Sequence, residues 1–138
     1  HSGRRRLAVW NFRKGCAEHV FVVSHGSGST ESHVRSAYAR VSNEDGSHLS
    51  SEGRAIVAER YTGSYGVAYR LDGLDETNAS LRSRCVVLHG WRYTTHLPIW
   101  PVATVGSWGC PVVSTRDMEM LDSILQREQR VVLWAYMD

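Results

Sequence analysis

The sequence predicts a mainly β domain, a sandwich or barrel-like sheet with one helix packed on it. Three observations carry this expectation. Short apolar runs of strand length recur along the chain, each bounded by Gly, Asn, Asp or Ser. One segment alone, 115–128, repeats Met118, Leu121, Ile124 and Leu125 at helical spacing. The chain has 138 residues, 42% of them hydrophobic and 22% charged, which is one core's worth of globular sequence.

The elements follow in order. Leu7–Phe12 alternates loosely and reads as a strand, Arg13-Lys14-Gly15 as a turn, and His19–Val23 as the hairpin partner. Ser24-His25-Gly26-Ser27-Gly28-Ser29 is a small-residue loop of the kind that carries function. Residues 30–53 hold little apolar material and read as irregular, with a short strand at Ala37–Val41. Arg54–Tyr61 and Val67–Leu71 read as strands joined by Thr62-Gly63-Ser64-Tyr65-Gly66, and Asn78–Ser83 as a short helix. Cys85-Val86-Val87-Leu88 is a continuous apolar run, so a central strand buried on both faces and ending at His89-Gly90. Residues 91–109 form a loop rich in Trp, Pro and Gly, and Ser114 caps the helix over 115–128. Arg130–Met137 closes the chain as a strand.

The composition excludes a disordered chain, a collagen-like repeat and a coiled coil. Lys plus Arg number 16 and Asp plus Glu 14, a net charge of +2 that is too even for a nucleic-acid partner. No run approaches the roughly eighteen apolar residues of a membrane-spanning helix. The opening His1-Ser2-Gly3-Arg4-Arg5-Arg6 has neither an initiator Met nor an apolar signal core, so the chain reads as a single domain cut from a longer protein. No metal-ligand spacing and no phosphate-binding glycine motif occur, so no metal or other cofactor is expected.

The three cysteines are an odd number, so at least one thiol is free. Cys85 opens an apolar strand and reads as a small buried hydrophobe, and Cys16 as a thiol without a role. Cys110 differs. It stands in Gly106-Ser107-Trp108-Gly109-Cys110-Pro111, a sharp turn before a helix whose positive end favours a thiolate. Gly109 lets a substrate approach closely, and the N–H groups of Cys110 and the residues before it can converge on an oxyanion, whereas Pro111 has none to offer. A free thiol in a packing turn is the plain alternative. Of the seven histidines, His89 is the best base, held rigidly at a strand end, and His25 the second. His33, His48 and His96 lie in polar loops and read as solvated. Ser107 is an oxyanion-side group or a turn former, Tyr93 and His25 are candidates to line a cleft, and Arg92 or Arg116 to clamp a carboxylate.

Val87-Leu88-His89-Gly90 followed by Ser107-Trp108-Gly109-Cys110 resembles the active-site signature of the L,D-transpeptidase (YkuD-like) family. The murein L,D-transpeptidase branch is the closer likeness. Its further stretches resemble Ser24-His25-Gly26, Ser42-Asn43, Gly46-Ser47, Ser50-Ser51-Glu52-Gly53, Tyr61-Thr62-Gly63 and Leu71-Asp72-Gly73-Leu74. Trp108 stands where many members carry histidine, an aromatic that the branch shares, and Ala55 stands near a place where the branch carries an aromatic, which implies a wider donor pocket.

The resemblance implies a transpeptidase β-sandwich with Cys110 as nucleophile, His89 as base, and Gly109, Trp108 and Ser107 forming the oxyanion turn. Gly90, beside His89, joins Tyr93, His25, Arg92 and Arg116 among the candidates for substrate contact. The substrate would be a peptidoglycan stem tetrapeptide attacked at its third carbonyl, with D-Ala leaving and an amine resolving the thioester into a 3–3 cross-link. Water in place of the amine would make a carboxypeptidase, and hydrolysis of cross-links an endopeptidase, as in an antibacterial effector. A non-catalytic envelope-binding module is the remaining alternative. A monomer in the cell envelope, periplasmic or exported, is the corresponding expectation.

Overall fold

A computed structural model describes residues 1–137 of the chain. The described residues form seven strands and one α-helix. Strands β1 (Arg5–Asn11) and β2 (Cys16–Val22) pair as an antiparallel hairpin. Strands β3 (Gly53–Gly63), β4 (Gly66–Gly73), β5 (Val87–Gly90), β6 (Val112–Val113) and β7 (Val132–Ala135) build a second sheet in the order β6-β5-β4-β3-β7. Its neighbours run antiparallel except for β5 and β6. Helix α1 (Thr115–Leu125) follows β6. This is the mainly β sandwich with one packed helix that the sequence predicts.

The pleat explains which side chains enter the core. Val86 and Leu88 join Tyr69, Leu71, Phe21, Val113, Met118 and Leu121 in one apolar cluster between the sheets and α1. The alternate residue His89 turns to the opposite face, where the cleft lies. Helix α1 begins as its sequence demands: Ser114 takes an extended conformation and its Oγ accepts from the Asp117 N–H at 3.0 Å. Arg60 and Tyr69 then converge on Asp122 of α1, at 2.7 and 2.6 Å, and fasten the helix to β3 and β4.

Four expectations change. Cys85 is neither in the strand nor buried: it is exposed with φ +55°, a turn residue, and β5 starts only at Val87. The predicted helix over Asn78–Ser83 is a 3₁₀ turn at Glu76–Asn78, because Asn78 spends its side chain on Asp75 N–H and Arg54 C=O rather than on helix continuation. Ala37–Val41 forms no strand; Val41 makes a single bridge to Ser50. Helix α1 ends at Leu125, capped by Gln126, short of the expected 128. Ala55 is buried in the core cluster and does not line the cleft that holds Cys110.

Gly90 fixes how closely β5 and α1 pack. A methyl group there would lie 2.9 Å from the Met118 Cβ and 3.2 Å from the Thr115 Cα, one of them helix backbone. Gly90→Ala is therefore expected to destabilise the domain by about 1–3 kcal/mol. A denaturant midpoint equal to that of the unsubstituted chain would contradict the close contact.

Candidate active site

The parallel pairing of β5 with β6 builds the site. His89 pairs with Val112 and Gly90 with Val113, so the turn that leads into β6 lies alongside the segment that leads into β5. The Val87 N–H donates to the Cys110 Sγ at 3.4 Å as a direct consequence. Cys110 and His89 thereby open onto one cleft of about 400 Å³, together with Tyr65, Arg84, Trp91 and Trp108.

The long irregular segment 24–52 forms the other wall. Single bridges join Ser24 to Val112, Gly26 to Ser107 and Arg35 to Val105. The Ser107 N–H donates to the His25 carbonyl at 2.8 Å, and the Ser27 N–H returns one to the Ser107 carbonyl at 2.9 Å. A loop of this length is thus ordered by ladder bonds to the 105–112 strand path rather than by a core of its own.

The Cys110 turn is closed by its own side chains. Ser107 Oγ donates to the Cys110 carbonyl at 2.6 Å and accepts from the Gly109 N–H at 3.2 Å. Ser107 is accordingly the turn former, its single O–H already committed. Gly109 has φ +112°, and a methyl group there would meet the Leu49 carbonyl oxygen at 2.9 Å. The Trp108 and Cys110 N–H groups have no partner among the described residues and are the donors left for an oxyanion.

His89 is buried, 5% exposed, and its Nδ1 lies 2.9 Å from the Gly90 carbonyl oxygen. A carbonyl only accepts, so Nδ1 carries the proton and Nε2 presents its lone pair. The Tyr65 ring stacks on the imidazole at 4.4 Å. Burial lowers the His89 pKa below 6.5, with the Gly90 bond opposing, so the ring is neutral at pH 7. Burial pushes the Cys110 thiol up above its ordinary value; the Val87 N–H and the Arg84 charge oppose this, and Cys85 adds to it. The resting pair is a neutral thiol and a neutral imidazole. The N–H on Sγ comes from Val87 of β5.

Other candidates fall elsewhere. His25 is a correction: it is not on the cleft but wedged between Arg6 and Ser36, each 3.2 Å from a ring nitrogen. Burial and the Arg6 charge push it down to about 4. Tyr93 packs edge-on against His33 and Trp91, at 4.3 and 5.1 Å, behind the cleft wall. Arg92 spends its guanidinium on Tyr93, with Nη2 at 2.8 Å from the hydroxyl. Arg116 is exposed on the first turn of α1, and Gly90 meets α1 rather than the cleft. Neither Arg92 nor Arg116 lines the site.

His33 is exposed and His48 half-buried, and both also line the cleft. They stack on Trp91 and Trp108, each at 5.2 Å between ring centres, and both hold positive φ, +63° and +54°. Sequence reasoning also passed over Tyr65 and Arg84; no local pattern marks either, since both reach the cleft from outside its motifs. Among the described residues no three His, Cys, Asp or Glu side chains group as a metal site.

A buried, hydrogen-bonded imidazole and a sulfur held by a backbone N–H, on a sheet-and-loop cleft, define a site fit for cysteine-based acyl chemistry. The chain belongs to the L,D-transpeptidase catalytic domain family, whose model matches residues 1–136. No curated protein and no solved structure matches it. The family makes this an enzyme of the type that acts on peptidoglycan, in a class associated with the cell wall. No helix among the described residues is long and apolar enough to cross a membrane.

The depressed His25 gives a stability prediction. Its folded pKa is about 4 against 6.5 unfolded, so between these values the unfolded chain binds a proton that the folded one refuses. The His25 contribution is constant above pH 6.5 and is lost as pH drops towards 4. His25→Gln is expected to reduce the loss of Tm across that window, with His89 and the lowered carboxylates supplying the remainder. Parallel Tm profiles for the two chains would contradict it.

Proposed function

We propose that this domain is an L,D-transpeptidase in which Cys110 is the nucleophile and His89 the general base. The observation that carries the reading is the shared cleft, in which a Gly90-oriented imidazole and the Cys110 thiol face one space. His89 Nε2 takes the thiol proton as Sγ attacks the carbonyl of the third stem residue. The oxyanion that forms accepts from the Trp108 and Cys110 N–H groups. The imidazolium returns the proton to the departing D-Ala amine, leaving a thioester on Sγ. An acceptor amine attacks the thioester, gives up a proton through His89 to Sγ, and leaves a 3–3 cross-link. Water in the acceptor's place gives carboxypeptidase activity through the same residues.

The neutral resting pair makes His89 the group whose protonation limits the reaction on the acid side. The acid limb of kcat/KM is expected below pH 6.5, the ordinary histidine value from which His89 is lowered. A limb above 6.5 would contradict a general base buried in this way.

Incubation with purified muropeptides, read by mass spectrometry, tests the function. Cross-linked dimers are the expected product, and Cys110→Ala or His89→Ala is expected to reduce their rate by at least about a hundredfold. Tripeptide monomers or shortened dimers as the main product would reassign the domain to hydrolysis. Full activity in Cys110→Ala would overturn the mechanism.

A further inference from the structure

We infer that Arg84 is a positioning residue of the reaction: its guanidinium locks the 42–51 loop under the Cys110 turn and keeps a positive charge, free of direct ion pairing, beside that thiol. The inference rests on the proposed role of Cys110.

The guanidinium makes four hydrogen bonds, all to one loop. Nη1 donates to the Ser42 carbonyl at 2.9 Å and the Ser51 Oγ at 2.8 Å. Nη2 donates to the Ser47 Oγ at 3.1 Å and the Leu49 carbonyl at 2.8 Å. A planar fork can satisfy four acceptors so disposed, whereas a lysine ammonium, with three donors on one atom, cannot. Every acceptor is neutral. Arg54, Arg60 and Arg82 each pair with a carboxylate, but Arg84 pairs with none among the described residues. The charge is therefore anchored without a direct ion pair, and Asp45 is the one carboxylate that lines the same cleft.

The loop it holds supports the turn directly. Ser50 Oγ donates to the Gly109 carbonyl at 3.0 Å and accepts from the Gly26 N–H at 3.0 Å. A methyl group on Gly109 would lie 2.9 Å from the Leu49 carbonyl oxygen and 3.4 Å from the Arg84 Nη2. The guanidinium thus packs against the residue that precedes Cys110, and both Arg84 and Cys110 line the cleft. Its field acts on Sγ in the direction that favours the thiolate, against the effect of burial. When Sγ leaves as the thioester breaks down, the same charge faces the anion that departs.

The two contributions separate by substitution. Arg84→Met removes fork and charge, Arg84→Gln keeps N–H donors without charge, and Arg84→Lys keeps charge without the fork. The readout is the pH profile of Cys110 alkylation by iodoacetamide, resolved by peptide mass spectrometry with Cys16 as internal control, alongside kcat and KM on muropeptides. Arg84→Met is expected to move the Cys110 profile to higher pH by about one unit, a roughly tenfold slower labelling at pH 8. Arg84→Gln, available where the methionine variant does not fold, is expected to shift likewise. Arg84→Lys is expected to restore the alkylation profile while kcat stays depressed, because the loop is no longer gripped.

A folded Arg84→Met or Arg84→Gln protein whose Cys110 profile matches that of the unsubstituted chain would overturn the inference. So would Arg84→Lys with a profile as displaced as that of the uncharged variants, or with undiminished kcat. Failure of the unsubstituted chain to form any Cys110 acyl-enzyme would instead sink the proposed function, so the two failures are distinguishable.

Discussion

The parallel pairing of β5 with β6 is the constraint on which the site depends. Two short strands, joined through the 91–111 loop, meet at His89–Val112 and Gly90–Val113. Parallel neighbours need a long crossover, and here the crossover is irregular rather than helical. The pairing sets the Cys110 turn beside the entry to β5, so that a β5 N–H reaches Sγ. It also leaves β6 at the sheet edge, where Ser24 can bridge Val112 and draw the 24–52 segment over the cleft. Helix α1 presses on the other side through Gly90, so the histidine segment is held between helix and loop.

The electrostatics follow from that enclosure. The same burial that raises the thiol lowers the imidazole, so in the proposed mechanism proton transfer between them runs from a neutral acid to a neutral base. A ready-made thiolate would need a stronger positive field than one N–H and one guanidinium supply against desolvation. The proposed mechanism therefore places thiolate formation with substrate attack, where oxyanion donors and His89 act together. Cys85 is the more exposed wall thiol; what sets Cys110 apart is the Val87 N–H on its sulfur.

Much of this was legible in the sequence, for physical reasons that differ by element. Two-residue alternation and turn glycines exposed the β1–β2 and β3–β4 hairpins, and the Ser114 cap with three-and-four spacing exposed α1. β6 was invisible, since two valines after a proline carry no period, and only their pairing with β5 makes them a strand. The His89 and Cys110 motifs could be read because each is local. Arg84 could not, since its four partners are loop carbonyls and serine hydroxyls far along the chain. His25 misled for the opposite reason: Ser-His-Gly at a strand end looks like a site, but Arg6 and Ser36 consume its ring. The stacking of His33 and His48 on Trp91 and Trp108 is a tertiary event that no local pattern marks.

The central claim is that the Cys110 sulfur carries the acyl group, and trapping that intermediate tests it most directly. The protein is mixed with a stem tetrapeptide whose third-residue side-chain amine is acetylated, so that no acceptor is present, quenched in acid, and its adduct mass is measured and mapped by peptide sequencing. The account predicts an adduct equal to the tetrapeptide less D-Ala, attached at Cys110 and labile to hydroxylamine as a thioester. An adduct on Cys85 or Cys16, or product released with no Cys110 adduct at any quench time, would contradict it.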